Sequence, residues 1–167
     1  MKKYLLPLLA LLYFASCSDS NTTFEQKLKT AVTADEAGTN GYKTVNLAEL
    51  TDFEWDRLYF FQAGEDKKSI SDAIGFKWEG AAVDAGYRRL LFVKGEEVVS
   101  YTDYLYSEFP LFVYGCQGDK WVYPSSRSTF ATFKYCSGED EVYAFIPVAC
   151  VGDISELMAN KCPEKAK

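Results

Sequence analysis

Apolar positions change their spacing along this chain, and the change marks its elements. Phe24, Leu28, Ala31 and Val32 fall at i, i+4, i+7 and i+8, the buried stripe of an amphipathic helix. They predict a helix over 23–33, with Thr22 and Glu25 at capping-box spacing. A loop over 35–41 closes on the turn dipeptide Asn40-Gly41. Tyr42 to Leu47 reads as a strand with Val45 and Leu47 on one face. Arg57 to Phe61 is a continuous apolar run after its first residue, as in a central strand buried on both faces. A second helix follows, capped by Asp66 or Ser69, with Ile70, Ala73 and Ile74 as its stripe and Gly75 at its C-terminal end. A Gly/Ala/Asp loop covers 79–86.

From there the runs are of strand type. Tyr87–Val93 and Glu97–Leu105 predict a hairpin across Lys94-Gly95-Glu96. Pro110–Cys116 predicts another strand, and Trp121–Pro124 a short extended piece. Phe130–Cys136 and Glu141–Ala149 predict a second hairpin. A closing helix is expected over Ile154–Asn160, with Asp153 and Glu156 at its start, Ile154, Leu157 and Met158 facing inward, and Pro163 beyond its end. Strands that are grouped, not alternating with helices, predict an α+β fold: a single domain with a mostly antiparallel β-sheet of about six to seven strands and two or three short helices.

The start of the chain follows a different rule. Lys2 and Lys3 precede an apolar run from Tyr4 to Ala15. A bilayer-spanning helix needs about 20 apolar residues, so this run has the proportions of an export signal. Phe14-Ala15-Ser16-Cys17 resembles the bacterial lipobox, with phenylalanine where leucine is usual. The resemblance implies that Cys17 is acylated and becomes the first residue of the mature protein. An ordinary secretory cut after Ser18 is the competing reading. The expected division is a signal peptide over 1–16, a lipidated tether over 17–22, one globular domain over 23–162 and a loose tail over 163–167. The expected location is the cell envelope, anchored in the membrane by lipid and facing the periplasm or exterior. Ser18 in place of aspartate after the cysteine points to the outer membrane where the cell has one.

Charge and composition narrow the function. The chain carries a net charge of −6. Removing residues 1–16 takes away two lysines and no acids, which leaves −8. Nucleic acid, whose phosphates demand a basic face, is excluded as a partner. There is no histidine, so Ser-His-Asp and Cys-His catalysis and His-ligated zinc are excluded. The glycines are scattered and form no phosphate loop, and no S-x-x-K nucleophile is present. No cofactor is expected. Besides Cys17 the cysteines are Cys116, Cys136, Cys150 and Cys162. An even number in an exported chain predicts two disulfides. Three pairings exist; Cys116–Cys136 with Cys150–Cys162 is favoured because each pair brackets one local unit. A metal site lacks the C-x-x-C spacing, and free thiols are the remaining alternative.

Residues 51–61, Thr-Asp-Phe-Glu-Trp-Asp-Arg-Leu-Tyr-Phe-Phe, resemble a recurrent motif of small bacterial lipoproteins without assigned function, in which a Trp-Asp pair precedes an aromatic strand. A helix like Ile70–Gly75 and a strand like Leu90–Val93 follow in that group. Gln62-Ala63-Gly64 stands here where the group often has Pro-Tyr. The resemblance covers about a third of the chain and lends no activity.

Three sets of residues are candidates for function. Trp55 and Asp56, with Asp52 and Glu54, form an acidic cluster, a candidate for carboxylates that raise one another's pKa or hold a hard cation. The plain alternative is an acidic loop, with Trp55 closing the core and Asp56 bonded to backbone. The spacing lacks the glycine and distal glutamate of a calcium loop. Arg88 and Arg89 must face opposite ways on a strand, so at most one serves a site. Tyr101, Tyr104, Tyr106, Phe109 and Tyr114 make an aromatic-rich stretch, suited to protein or glycan contact or to core packing. Two readings follow. One is a lipid-anchored binding or inhibitor-like domain with an envelope protein or glycan as partner and no enzymatic activity. The other is a small envelope-polymer hydrolase that works through Asp52, Glu54 and Asp56.

Overall fold

Among the described residues, eight strands divide into two four-stranded sheets, not one. The computed structural model describes residues 20–34, 38, 40–116, 121–160 and 162. The expected signal peptide, the acylated Cys17 and the tail over 163–167 lie outside the described residues. The first sheet has the order β1 (Lys43–Asn46), β7 (Thr129–Ser137), β8 (Asp140–Pro147), β5 (Leu111–Val113). The second has the order β4 (Glu97–Leu105), β3 (Tyr87–Lys94), β2 (Arg57–Phe61), β6 (Val122–Pro124). The pairings are antiparallel except that of β5 with β8, which is parallel. The fold is α+β, as the grouped strands predicted.

Alternation of side chains along each strand builds the layers. Leu58, Phe60, Leu90, Phe92 and Tyr104 of one sheet meet Val45, Leu111, Val113, Phe130 and Phe145 of the other in a shared core. Helix α1 (Thr22–Thr33) adds Phe24, Leu28 and Val32 to that core. Its cap is Asn21, whose side-chain oxygen accepts the Phe24 N–H at 2.9 Å, one residue before the Thr22 cap expected from sequence. The second sheet turns Tyr59, Phe61, Leu91, Val93 and Tyr101 outward, under Ile70 and Ile74 of α3 (Lys67–Ile74) and under Trp78 and Val83. Asp66 caps α3, and Gly75 ends it at φ +88°, a left-handed conformation that glycine takes at no steric cost. The first sheet turns Phe133, Tyr135, Val142 and Ala144 outward, under Val151, Ile154, Leu157 and Met158.

Three expected elements differ. The first strand stops at Asn46, whose side chain accepts the Ala48 N–H and starts a one-turn helix α2 (Leu47–Leu50). The strand expected over 110–116 shortens to Leu111–Val113. The closing helix is a 3-10 segment over Val148–Ala159 with no side-chain cap, so Asp153 and Glu156 do not start it.

The disulfides are Cys116–Cys150 and Cys136–Cys162, with Cα–Cα distances of 5.2 and 4.9 Å. This corrects the favoured pairing of neighbours. Parallel pairing of β5 with β8 carries Cys116 past the end of β8, where Cys150 lies. The 3-10 segment then folds back across the sheet, and the Cys136 N–H donates to the Asn160 carbonyl at 2.8 Å. That return brings Cys162 to Cys136.

Candidate binding groove

The Trp55–Asp56 cluster is bonded inward. Trp55 is buried and packs edge-on against Phe92, with ring centroids 5.3 Å apart. The Asp56 carboxylate accepts the Gly95 N–H at 2.7 Å and closes the β3–β4 turn. Glu54 is exposed and pairs with Lys94, which bonds its carboxylate and holds it below the usual glutamate range. A general acid needs a shift in the opposite direction. Asp52 is exposed nearby. A shallow hollow of about 390 Å³ lies over Phe53, Trp55 and Lys94.

Arg88 and Arg89 do face opposite ways. Arg89 is fully buried. Its Nε and Nη2 each donate to the Asp103 carboxylate at 2.7 Å, Nη1 donates to the Ala81 carbonyl at 2.7 Å, and its guanidinium lies 4.6 Å from the Tyr101 ring centre and 5.4 Å from that of Trp78. It clamps the 79–86 loop to the sheet. Arg88 lies over the Tyr106 ring at 4.9 Å. Its Nη1 donates to the Tyr87 carbonyl at 3.0 Å, and its Nε is buried with no hydrogen-bond partner among the described residues.

Strand alternation splits the tyrosine stretch. Tyr101 faces α3. Tyr104 faces the inter-sheet core and donates its hydroxyl to the Leu111 carbonyl at 2.9 Å; burial pushes its phenol well above the usual tyrosine range. Phe109 packs against it, with centroids 5.5 Å apart. Only Tyr106 and Tyr114 of that stretch reach the surface, and there they meet residues from the other end of the chain.

The meeting place is an open groove of about 740 Å³. Its walls are Tyr106 and Pro110 from the β4–β5 connection, Phe112 and Tyr114 from β5 and just beyond, and Tyr135 and Val142 from the β7–β8 hairpin. Phe112 and Tyr114 pack with centroids 4.9 Å apart. The Tyr114 and Tyr135 hydroxyls share a hydrogen bond of 2.6 Å. Burial, followed by that bond, pushes the Tyr114 phenol up; burial and then the neighbouring Tyr135 do the same for Tyr106. The Tyr106 and Tyr114 phenols are therefore neutral at physiological pH. The rim of the groove carries Glu139, Asp140 and Glu141 from the hairpin.

The disulfides frame the site. Tyr114 stands two residues before Cys116, and Tyr135 immediately before Cys136. Both phenol-bearing strands are thus fixed covalently to the C-terminal segment. Sequence reading named Tyr106 and Tyr114 but missed Tyr135 and the rim acids. The clue available was that Tyr114 and Tyr135 both lie within two residues of a cysteine.

Among the described residues, no group of three or more His, Cys, Asp or Glu side chains converges as a metal site, and no helix is long and apolar enough to cross a membrane. No protein family, curated protein or solved structure matches the chain.

Proposed function

We propose that this chain is a lipid-anchored protein of the bacterial cell envelope whose folded part is a binding domain, with the Tyr106–Tyr114–Tyr135 groove as its binding surface. The observation that carries the reading is the groove itself: a concave aromatic surface whose two hydrogen-bonded phenols sit on disulfide-fixed strands. Aromatic side chains present large contact area with few rotatable bonds, and fixing them beforehand lowers the ordering cost of binding. The export-signal pattern ending at Cys17 supports the location, since several acyl chains anchor where one would be marginal. The hydrolase reading draws no support from Glu54 and Asp56, both engaged in local bonds.

The test is a quantitative pull-down from detergent-solubilised envelopes with the full lipidated chain as bait. Tyr106→Ala should lose a partner that the wild type enriches, while Lys68→Ala, on the exposed face of α3, should keep it. An enriched partner indifferent to Tyr106→Ala removes the groove from the proposal, and an empty capture with folded bait removes the partner. Cys17→Ser should release the protein from the membrane fraction; retention would remove the lipid anchor.

A further inference from the structure

We infer that the groove receives a basic peptide segment, with a lysine or arginine side chain laid on Tyr106 and Tyr114 and its charge met by Glu139 and Asp140. The inference rests on the binding-domain reading and adds the ligand's chemistry to it.

Three observations converge. Aromatic faces attract cations through their quadrupole, and this chain's own Arg88 already lies over the Tyr106 ring at 4.9 Å. Glu139 and Asp140 stand exposed at the tip of the β7–β8 hairpin and make no side-chain hydrogen bond or ion pair within the described residues. Glu141 differs, being paired with Lys134 at 3.5 Å. The two unmatched carboxylates thus sit on the rim of the aromatic walls, and Asp140 is near enough to Tyr106 to raise its phenol pKa. Finally, the bonded pair of phenol hydroxyls leaves one hydroxyl hydrogen and several lone pairs for a peptide backbone. The hollow is of a size that takes a short segment, and the net charge of −8 left once residues 1–16 are removed steers a cationic one toward it. A neutral glycan can stack on the same rings, but it supplies no charge to answer Glu139 and Asp140.

The experiment is fluorescence anisotropy with the full lipidated chain in phosphatidylcholine nanodiscs. Three labelled probes are compared: an octapeptide alternating glycine and arginine, its glycine–glutamate counterpart, and an oligomer of N-acetylglucosamine. The arginine peptide should bind saturably and the others at least about tenfold more weakly, a difference of about 1.4 kcal/mol. The double variant Glu139→Gln/Asp140→Asn lies on an exposed hairpin tip and leaves the core untouched. It should weaken the arginine peptide about tenfold with an unchanged melting temperature, and added salt should weaken the wild type toward the same level. No binding, equal binding by the double variant, or preference for the sugar or the acidic peptide overturns the inference. If an envelope partner is still captured and lost with Tyr106→Ala, the binding-domain reading survives that failure; if nothing is captured, both fall.

Discussion

Phe92 gathers three aromatic rings edge-on, those of Phe24, Phe53 and Trp55, at centroid distances of 5.1 to 5.3 Å. Truncating a buried tryptophan at such a junction costs roughly 3 kcal/mol or more. Trp55→Ala should therefore lower the urea midpoint sharply, while the folded fraction keeps its groove affinity. Loss of affinity without loss of stability would return Trp55 to the site. The phenols give a second test at this scale. Tyr104, Tyr106 and Tyr114 are all pushed above the ordinary phenol value of 10.0, burial being the first cause in each. Above about pH 10 the unfolded chain sheds phenolic protons that the native chain keeps. Stability is then full below that pH and declines as pH rises through the native values. Unfolding measured against pH should show this decline, and Tyr114→Phe should make it shallower. At the residue scale the sequence revealed which side chains were distinctive but not which way they faced. Trp55 and Asp56 stood out through their neighbours in the chain, yet their roles depend on Phe92 and Gly95, some forty residues on.

Crossed disulfides connect the elements that parity alone leaves unassigned. Alternation of apolar side chains marks a strand and its two faces; it is silent on the partner and its direction. That is why the two hairpins were legible, while the parallel pairing of β5 with β8, and with it Cys116–Cys150, was not. The local pairings would close loops with separations of 20 (116 to 136) and 12 (150 to 162). The native bonds span 34 and 26. Loop entropy alone favours the local set by about 1 kcal/mol in total. Oxidative refolding from the reduced, denatured chain should therefore pass through neighbour-paired species before thiol exchange delivers the crossed pair. Acid trapping and mass mapping will show the order, and a native bond forming first would mean that the sheet assembles before the cysteines oxidise. Opening Cys116–Cys150 with Cys116→Ser/Cys150→Ser should loosen the Tyr114 wall and weaken groove binding more than it disturbs the distant α3 face.

Across the whole molecule the class of fold was readable and its division into two sheets was not. β6, three residues long, belongs by sequence to the run of strands that builds the first sheet, yet it pairs with β2 in the second. A further long-range connection joins the start of the domain to the free edge of β4. The Asn21 N–H donates to the Tyr101 carbonyl at 2.8 Å, the Thr102 hydroxyl donates to the Asn21 carbonyl at 3.1 Å, and the Asp103 N–H donates to the Ser20 hydroxyl at 2.9 Å. The polar stretch expected to act as tether over 17–22 is therefore part of the fold from Ser20 onward. With Cys17 acylated as proposed, three residue steps separate the lipid from that seam, at most about 11 Å of extended chain. A spacer of glycine and serine inserted before Ser20 should move a fluorophore on the domain away from the bilayer, as read by energy transfer to labelled lipid; no movement would mean that the domain is not held at the surface through this lead. Tyr106 follows Asp103 by three residues, just past the end of the strand that receives the seam. So short a leash turns the search for a partner into a two-dimensional one: the groove sweeps a thin layer beside its own membrane, meeting what is embedded there or passes close by, and leaves the far side of the envelope out of reach.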